Sequence, residues 1–369
     1  TISNVFHGCE SRRGGAISTS GKLTATNVRF ENCTACQGGA IAILGNNPAK
    51  FISCSFIGNN NDLGIECWAK GGVFYVNGND EGSDITIDRC YFEGNTSDCE
   101  GYQDRKYSAG GVMALNGAAP KLHISNSTFY GNIGGWAAGV LFFEKYTADD
   151  NNIDIRFTNN TFLDNTVLHS SINHGVLVYF NGASTDKLHG LLSFVNNTSF
   201  NNNTPNEQSV IYLNSCPLDV VLANNLSLDK KIIEDGENSR ELGYGWVLQE
   251  NNGFHFTSVQ ITHNIIEGGI GGGHKTFDEN YLTSDETANI FPKPAADLRP
   301  TFELATELVT QDDIHFLPVG EYSSAIDAGT NNVVYAGANL VTSTDILGNA
   351  IVNGTRDIGA WEFGNSAGI

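Results

Sequence analysis

Strong helix formers are sparse in this sequence, positive charge is scarce, and no long apolar run occurs along its 369 residues. The first scarcity argues against a helical fold. The second sets 20 Lys plus Arg against 41 Asp plus Glu, a formal charge of −21 that disfavours nucleic acid and anionic membranes as partners. Such a charge suits calcium, a cationic partner or plain solubility. Nothing approaches the roughly 18 apolar residues of a membrane span, so a soluble chain is expected. No signal peptide is visible: Thr1 is not an initiator methionine, and Thr1 to Phe6 already reads as a repeat strand, so a processed or truncated piece is expected. Cysteine is missing from most of the chain, with seven of the eight in the first hundred residues. Their one Cys-x-x-Cys spacing, Cys33 and Cys36, has no second pair or close histidine to complete a zinc site.

What is present is a repeat. A paired-glycine element occurs at Gly14-Gly15-Ala16, Gly38-Gly39-Ala40, Gly71-Gly72-Val73 and Gly110-Gly111-Val112, and in weaker form at Ala138-Gly139-Val140 and His174-Gly175-Val176. Between these fall Phe-x-x-Asn elements at Phe56 to Asn59, Phe92 to Asn95, Phe129 to Asn132, Phe162 to Asn165 and Phe200 to Asn203, while Phe6 to Cys9 and Phe30 to Cys33 end on cysteine. Successive phenylalanines lie 24, 26, 36, 37, 33 and 38 residues apart, with one glycine pair in every gap. An order this fixed with a length this elastic marks a solenoid.

Runs such as Leu23 to Thr26, Ile85 to Ile87 and Leu122 to Ile124 alternate apolar with polar residues and read as strands with one buried face. One turn of such strands cannot bury that face alone, but coils stacked about 4.8 Å apart share a core. Phenylalanine then stacks on phenylalanine inside, asparagine at a corner forms an amide ladder, and glycine pairs allow a sharp corner or close backbone approach. The competing arrangement, a β-sandwich, shows turn signals without a shared motif.

These elements resemble the repeats of polymorphic outer-membrane proteins and related adhesins, in which Gly-Gly-Ala-Ile alternates with Phe-x-x-Asn along a right-handed parallel β-helix. The likeness covers residues 1 to about 230 and speaks to fold more than function. Near the end, Ser323 to Gly329, Asp345 to Asn349 and Arg356-Asp357-Ile358-Gly359-Ala360-Trp361-Glu362 resemble the terminal region of bacterial surface β-helix proteins of the choice-of-anchor group, as does Ile265 to Gly269. The resemblance implies a region that closes the helix. Trp361 and Ile358 are expected over the last coil, with Arg356 paired to Asp345 or Asp327.

The clustered cysteines fall in register. Cys9 and Cys33 share one motif place, Cys54 and Cys90 another, and Cys36, Cys67 and Cys99 lie between a Phe motif and the next glycine pair. They are read as disulfides of an exported protein, against a ladder of free thiols. Asn-x-Ser/Thr sequons at Asn32, Asn95, Asn126, Asn159, Asn196, Asn197, Asn202, Asn225 and Asn353 permit glycosylation.

Insertions between each Phe motif and the following glycine pair should stack along one edge, and they carry Trp68, Tyr102, Tyr107 and Trp136, the candidate binding residues. Exposed aromatics beside carboxylates and amides stack on sugars and bond their hydroxyls. Catalysis is the rival reading. A polysaccharide lyase needs a base and a cation for the enolate, for which Lys145, Arg156, Lys187 and His189 are available beside Asp149, Asp150 and Asp154. A glycosidase needs two carboxylates about 5 to 10 Å apart, with Asp149 and Asp150 or Asp98 and Asp104 as candidates. No catalytic motif is present, the nine histidines are scattered, and the glycine run from Gly268 to Gly273 lacks phosphate-loop context. No catalytic residue, metal ligand or cofactor is therefore assigned.

The resulting expectation is an all-β chain: a right-handed parallel β-helix with coils over 1–230, and final irregular coils plus a C-terminal cap over 231–369. Its expected role is an exported structural or adhesive protein at the cell surface or outside the cell. It would display a loop face to a glycan or protein and associate head to tail, the alternative being a carbohydrate-active enzyme on the same scaffold.

Overall fold

The computed structural model describes residues 4–63, 69–77, 83–98, 108–116, 121–144, 151–168, 175–181, 188–202, 210–214, 217–229, 245–249, 255–271, 288–292, 298–351 and 354–364. Three long parallel sheets run side by side. Sheet I has nine strands from Asn4–His7 to Ile265–Ile266, sheet II nine from Ile17–Thr19 to Ile270–Gly271, and sheet III eight from Leu23–Thr26 to Ser258–Thr262. The chain visits the sheets in turn and then pairs with its previous pass, so Phe30 registers with Phe6 and Phe56, and Ile87 with Phe51 and Ile124. This is a parallel β-helix, as expected.

Its core is the repeat made solid. The rings of Phe6, Phe30, Phe56, Phe92, Phe129 and Phe162 stack at centroid spacings of 4.7 to 5.1 Å. The stack stops there. Phe162 registers with Ser199, and Phe200 lies one place further on, where Leu163 is its partner. The last Phe-x-x-Asn element is thus misaligned in the sequence reading, and Ser199-x-x-Asn202 is the repeat in register. Gly175 is shifted likewise, since Leu141 pairs with Val178 and so puts Gly175 level with Ala138 rather than Gly139.

Asparagine does at the corners what the spacing foretold, in three columns. An inner ladder after sheet I joins Asn59, Asn95, Asn132, Asn165, Asn202 and Asp229, each Nδ2 donating to the next Oδ1 at 2.7 to 3.0 Å. A second, before sheet I, joins Asn160, Asn197, Asn225, Asn264 and Asn289. A third faces outward, one residue earlier, where left-handed Asn126, Asn159, Asn196 and Asn224 bond in series. These ladders bury the side chains of Asn95, Asn159, Asn196, Asn197, Asn202 and Asn225, all at most 4% exposed, so their sequons are structural amides in the folded chain. The second ladder continues past residue 230, where the sequence motif fades.

The two glycines of each pair answer to different constraints. Gly38 has φ +67°, a left-handed corner that residues with a Cβ seldom adopt. A Cβ on Gly39 would lie 2.1 Å from the carbonyl oxygen of Gly72 in the next coil. Inter-coil contact, rather than φ, fixes that second glycine.

Residues 298–351 and 354–364 are largely irregular, and they lie along the flank of the solenoid rather than over its last coil. Trp361, Ile358, Phe302 and Phe316 form one apolar cluster with Leu163, Leu226 and Leu228 of sheet I. Val333, Leu340 and Val341 pack on Leu191, Val195 and Val221 of sheet III. This arm docks on the outward asparagine ladder: Asn224 exchanges hydrogen bonds with the backbone of Thr330, and Asn159 donates to Thr342 Oγ1 and Thr344 O. The His315 ring stacks on Tyr91 at 4.1 Å, so the arm runs back over several coils. Arg356 is fully buried and donates to Thr342 O, Thr344 O and Asn159 Oδ1, not to the carboxylate partners anticipated for it. The apolar outward positions of sheets I and III call for a lateral cover, which the sequence motif alone did not place.

Candidate functional site

Strand alternation leaves one set of side chains on each sheet pointing away from the core. On sheet III the uncovered outward residues are mixed charges. Arg156 is held by Asp154, with Nε 2.6 Å from Oδ1 and Nη2 2.8 Å from Oδ2, and His123 Nε2 lies 3.3 Å from Asp154 Oδ2. Burial pushes the Asp154 carboxyl up, but the hydrogen bonds and charges of His123 and Arg156 outweigh it and bring it down to about 2. The guanidinium proposed as a lyase's enolate-stabilising cation is thus engaged by Asp154.

Sheet II differs. Its outward column reads Tyr75, Ala114, Phe142, Tyr179, Tyr212 and Val247 in register, and the next outward column reads Asn116, Glu144, Asn181, Asn214 and Gln249. The rings of Phe142, Tyr179 and Tyr212 follow one another at 5.8 and 5.7 Å. They are nearly covered, Tyr212 being 6% exposed, and burial pushes the phenols of Tyr75, Tyr179 and Tyr212 up, so they stay neutral hydroxyls. The amide column beside them is half-buried over Asn116, Glu144, Asn181 and Asn214.

Lys70 ties the two columns together. It precedes the Gly71-Gly72 corner, and its side chain runs across the Ala114 coil so that Nζ reaches Asn116 Oδ1 at 3.0 Å and Glu144 Oε2 at 3.1 Å. The ammonium also stands 5.5 Å from the centre of the Phe142 ring. Asn116 in turn donates to Tyr75 Oη at 3.3 Å, and Asn214 to Asn181 Oδ1 at 3.3 Å. The arrangement offers hydroxyls, amides, one carboxylate and one ammonium along a straight line at the coil repeat. Glu144 is the one carboxylate of the column, and its charge is answered by Lys70.

Of the four candidate binding residues, Trp136 is described. Its half-buried ring meets Phe142 and Tyr179 edge-on at 6.3 and 6.1 Å, so it borders the sheet II face instead of projecting from a loop. Trp68, Tyr102 and Tyr107 lie outside the described residues, as do Lys145, Asp149, Asp150, Lys187 and Asp104. His189 is described and exposed on sheet III. The Tyr75, Phe142, Tyr179 and Tyr212 column was missed because aromatic residues in strands read as core; a signal was available in the position of each ring one place after the inward residue that follows the glycine pair. Among the described residues no three His, Cys, Asp or Glu side chains gather as a metal site. No helix among them is long and apolar enough to cross a membrane.

Cys9, Cys33, Cys36, Cys54 and Cys90 carry free thiols, and Cys67, Cys99 and Cys216 are outside the described residues. The register foreseen for Cys9 with Cys33 and for Cys54 with Cys90 holds. Cys9 and Cys33 begin the inner ladder that Asn59 continues, and Cys54 and Cys90 share the column of the second ladder ahead of Ser127 and Asn160.

Residues 1–139 match the family model of the right-handed β-helix region. Comparison with curated proteins and with solved structures gave no match.

Proposed function

We propose that this chain is an exported, noncatalytic β-helix rod of the cell surface or extracellular space, and that the outer face of sheet II, bordered by Trp136, binds a glycan. On this reading it stands with the adhesins and anchored surface proteins that its repeats and its terminal motif resemble. The observation that carries the proposal is the pairing, in register on the outward side of sheet II, of an aromatic column with an amide and carboxylate column. Burial of the rings leaves their rims and the neighbouring amides as the contact surface, which favours hydrogen bonds to sugar hydroxyls over open-ring stacking.

A glycan array, followed by calorimetry on any binder, tests this directly. Asn181→Ala combined with Asn214→Ala is expected to weaken binding at least tenfold with the melting temperature little changed. Binding that survives this pair unchanged, or no binding across neutral and acidic glycans, refutes the assignment. Incubation with pectate, alginate, chondroitin sulfate and heparin while absorbance near 235 nm is followed addresses the enzymatic alternative, and a steady rise from unsaturated uronates would replace this proposal with a lyase.

A further inference from the structure

Both inner ladders carry two successive cysteines ahead of their asparagines: Cys9 and Cys33 in the first two coils of one, and Cys54 and Cys90, after Asn4 and Val28 and before Ser127, in the other. In the inner ladder after sheet I, Thr34 N donates to Cys9 O at 2.7 Å and Cys33 N donates to Asn59 Oδ1 at 3.0 Å, so Cys9, Cys33 and Asn59 are one column. In the second ladder Tyr91 N donates to Cys54 O at 2.9 Å and Cys90 N donates to Ser127 Oγ at 3.0 Å, so Cys54, Cys90 and Ser127 are the next.

Adjacent coils of a parallel sheet stand about 4.8 Å apart, inside the span of roughly 4.4 to 6.8 Å over which a disulfide joins two Cα atoms. Within each column the two cysteines occupy the same corner, and the later thiol reaches the coil of the earlier one: Cys33 Sγ donates to Phe6 O at 3.8 Å and Cys90 Sγ to Phe51 O at 3.6 Å. Amide-to-amide hydrogen bonds join the coils that follow, and cysteine forms no such amide bond. At these column places the amide clamp is missing, although the Asn59–Asn95 bond joins the coils of Cys54 and Cys90 at their other corner, and the cysteines hold the chemistry for a covalent link.

We propose that Cys9 with Cys33, and Cys54 with Cys90, are two inter-coil disulfide sites that replace the asparagine clamp at these column places, closing loops of 24 and 36 residues. Each forms by exchange with a small disulfide such as glutathione disulfide. One thiolate attacks it to give a mixed disulfide and release one glutathione thiolate. The partner thiolate then displaces the second glutathione, so two protein thiols are oxidised and one glutathione disulfide is reduced to two thiols. Cys54 is suited to attack first: its hydrogen bond with Cys90, set against burial, brings it down to about 7. Burial pushes Cys33 up to about 11, and Cys9, the more exposed of that pair, is its entry point. Cys54 and Cys90 are almost fully buried, so their exchange takes place as the coil closes.

The test folds the full chain from denaturant in a glutathione redox buffer, traps remaining thiols with iodoacetamide, and digests without reduction. Mass spectrometry with fragment-ion assignment should find Cys9 linked to Cys33 and Cys54 linked to Cys90, with Cys36 alkylated. Serine is the natural control, because Ser127 holds the same column place one coil on and bonds the Cys90 backbone. Cys54→Ser should leave Cys90 alkylatable and the Cys9–Cys33 link intact, and the oxidised wild type should melt several degrees above the reduced protein while Cys9→Ser/Cys54→Ser shows no such difference. Full alkylation of all four thiols after oxidative folding, or links running instead to Cys36, Cys67 or Cys99, overturns the proposal.

Discussion

Replacing Asn165 by alanine removes one rung of the inner ladder. Its Nδ2 donates to Phe129 O at 2.9 Å and Asn202 Oδ1 at 2.8 Å, and its Oδ1 accepts from Asn132 N at 3.0 Å and Asn132 Nδ2 at 2.9 Å. Two of these partners keep other bonds: Asn202 Oδ1 still receives Asn165 N, and Asn132 Nδ2 still donates to Phe92 O. The Asn132 N–H and the side of the Phe129 carbonyl facing the corner lose theirs in a site closed to water. At about 1 to 3 kcal/mol for each buried group left unpaired, Asn165→Ala is expected to cost roughly 2 to 6 kcal/mol. Asn332→Ala, at an exposed turn, is the control and should stay within about 0.5 kcal/mol. Because solenoids unfold piecemeal, urea denaturation should be paired with amide hydrogen exchange, in which Asn132 N–H loses protection in the variant. An Asn165→Ala protein within about 1 kcal/mol of the control, with that amide still protected, would refute the ladder as a clamp between coils.

Phe92→Ala opens the ring stack between Phe56 and Phe129, 4.9 and 4.7 Å away, and should cost about 3 to 5 kcal/mol in urea midpoint analysis. Gly39→Ala forces a methyl against the Gly72 carbonyl and should leave little folded protein on size-exclusion chromatography. Gly21→Ala, whose added methyl meets nothing nearer than Thr19 Oγ1 at 3.7 Å, should behave as wild type. The arm carries a pH dependence of defined sign. Burial, then the neighbouring Asp357 charge, lift Glu362 from 4.5 to about 7. A raised carboxyl stabilises the fold fully below about 4.5 and loses that contribution as pH rises to 7, worth about 3 kcal/mol across the window. Glu362→Gln should flatten this slope in melting curves taken from pH 5 to 8, and an unchanged slope would remove Glu362 as its source.

How much was legible follows from what each residue does. A Phe at every coil stacks whichever coil it belongs to, and a corner Asn reaches the same place one coil on, so the motif order already contains the ladder and the core. Period slips were harder to see. Phe200 keeps the composition of the motif but sits one residue late, and only the pairing of Phe162 with Ser199 exposes the shift. Adjacent asparagines such as Asn159-Asn160 and Asn196-Asn197 hid a division of labour, the second of each pair clamping inward and the first joining the outward ladder, from which Asn159 and Asn224 bind the arm.

The sequence by itself determined the parallel β-helix, its ring stack and the alignment of its N-terminal cysteines, because these depend on residues that repeat at equivalent places and meet copies of themselves. Tertiary structure alone decided where the arm of residues 298–364 goes and which side chains meet across unlike coils. Arg356 finds Asn159 across 197 residues, and Lys70 finds Glu144 across 74, pairings that no period announces. Contacts between unlike elements are selected by shape and by the need to satisfy buried polar groups, and both exist only once the coils have stacked.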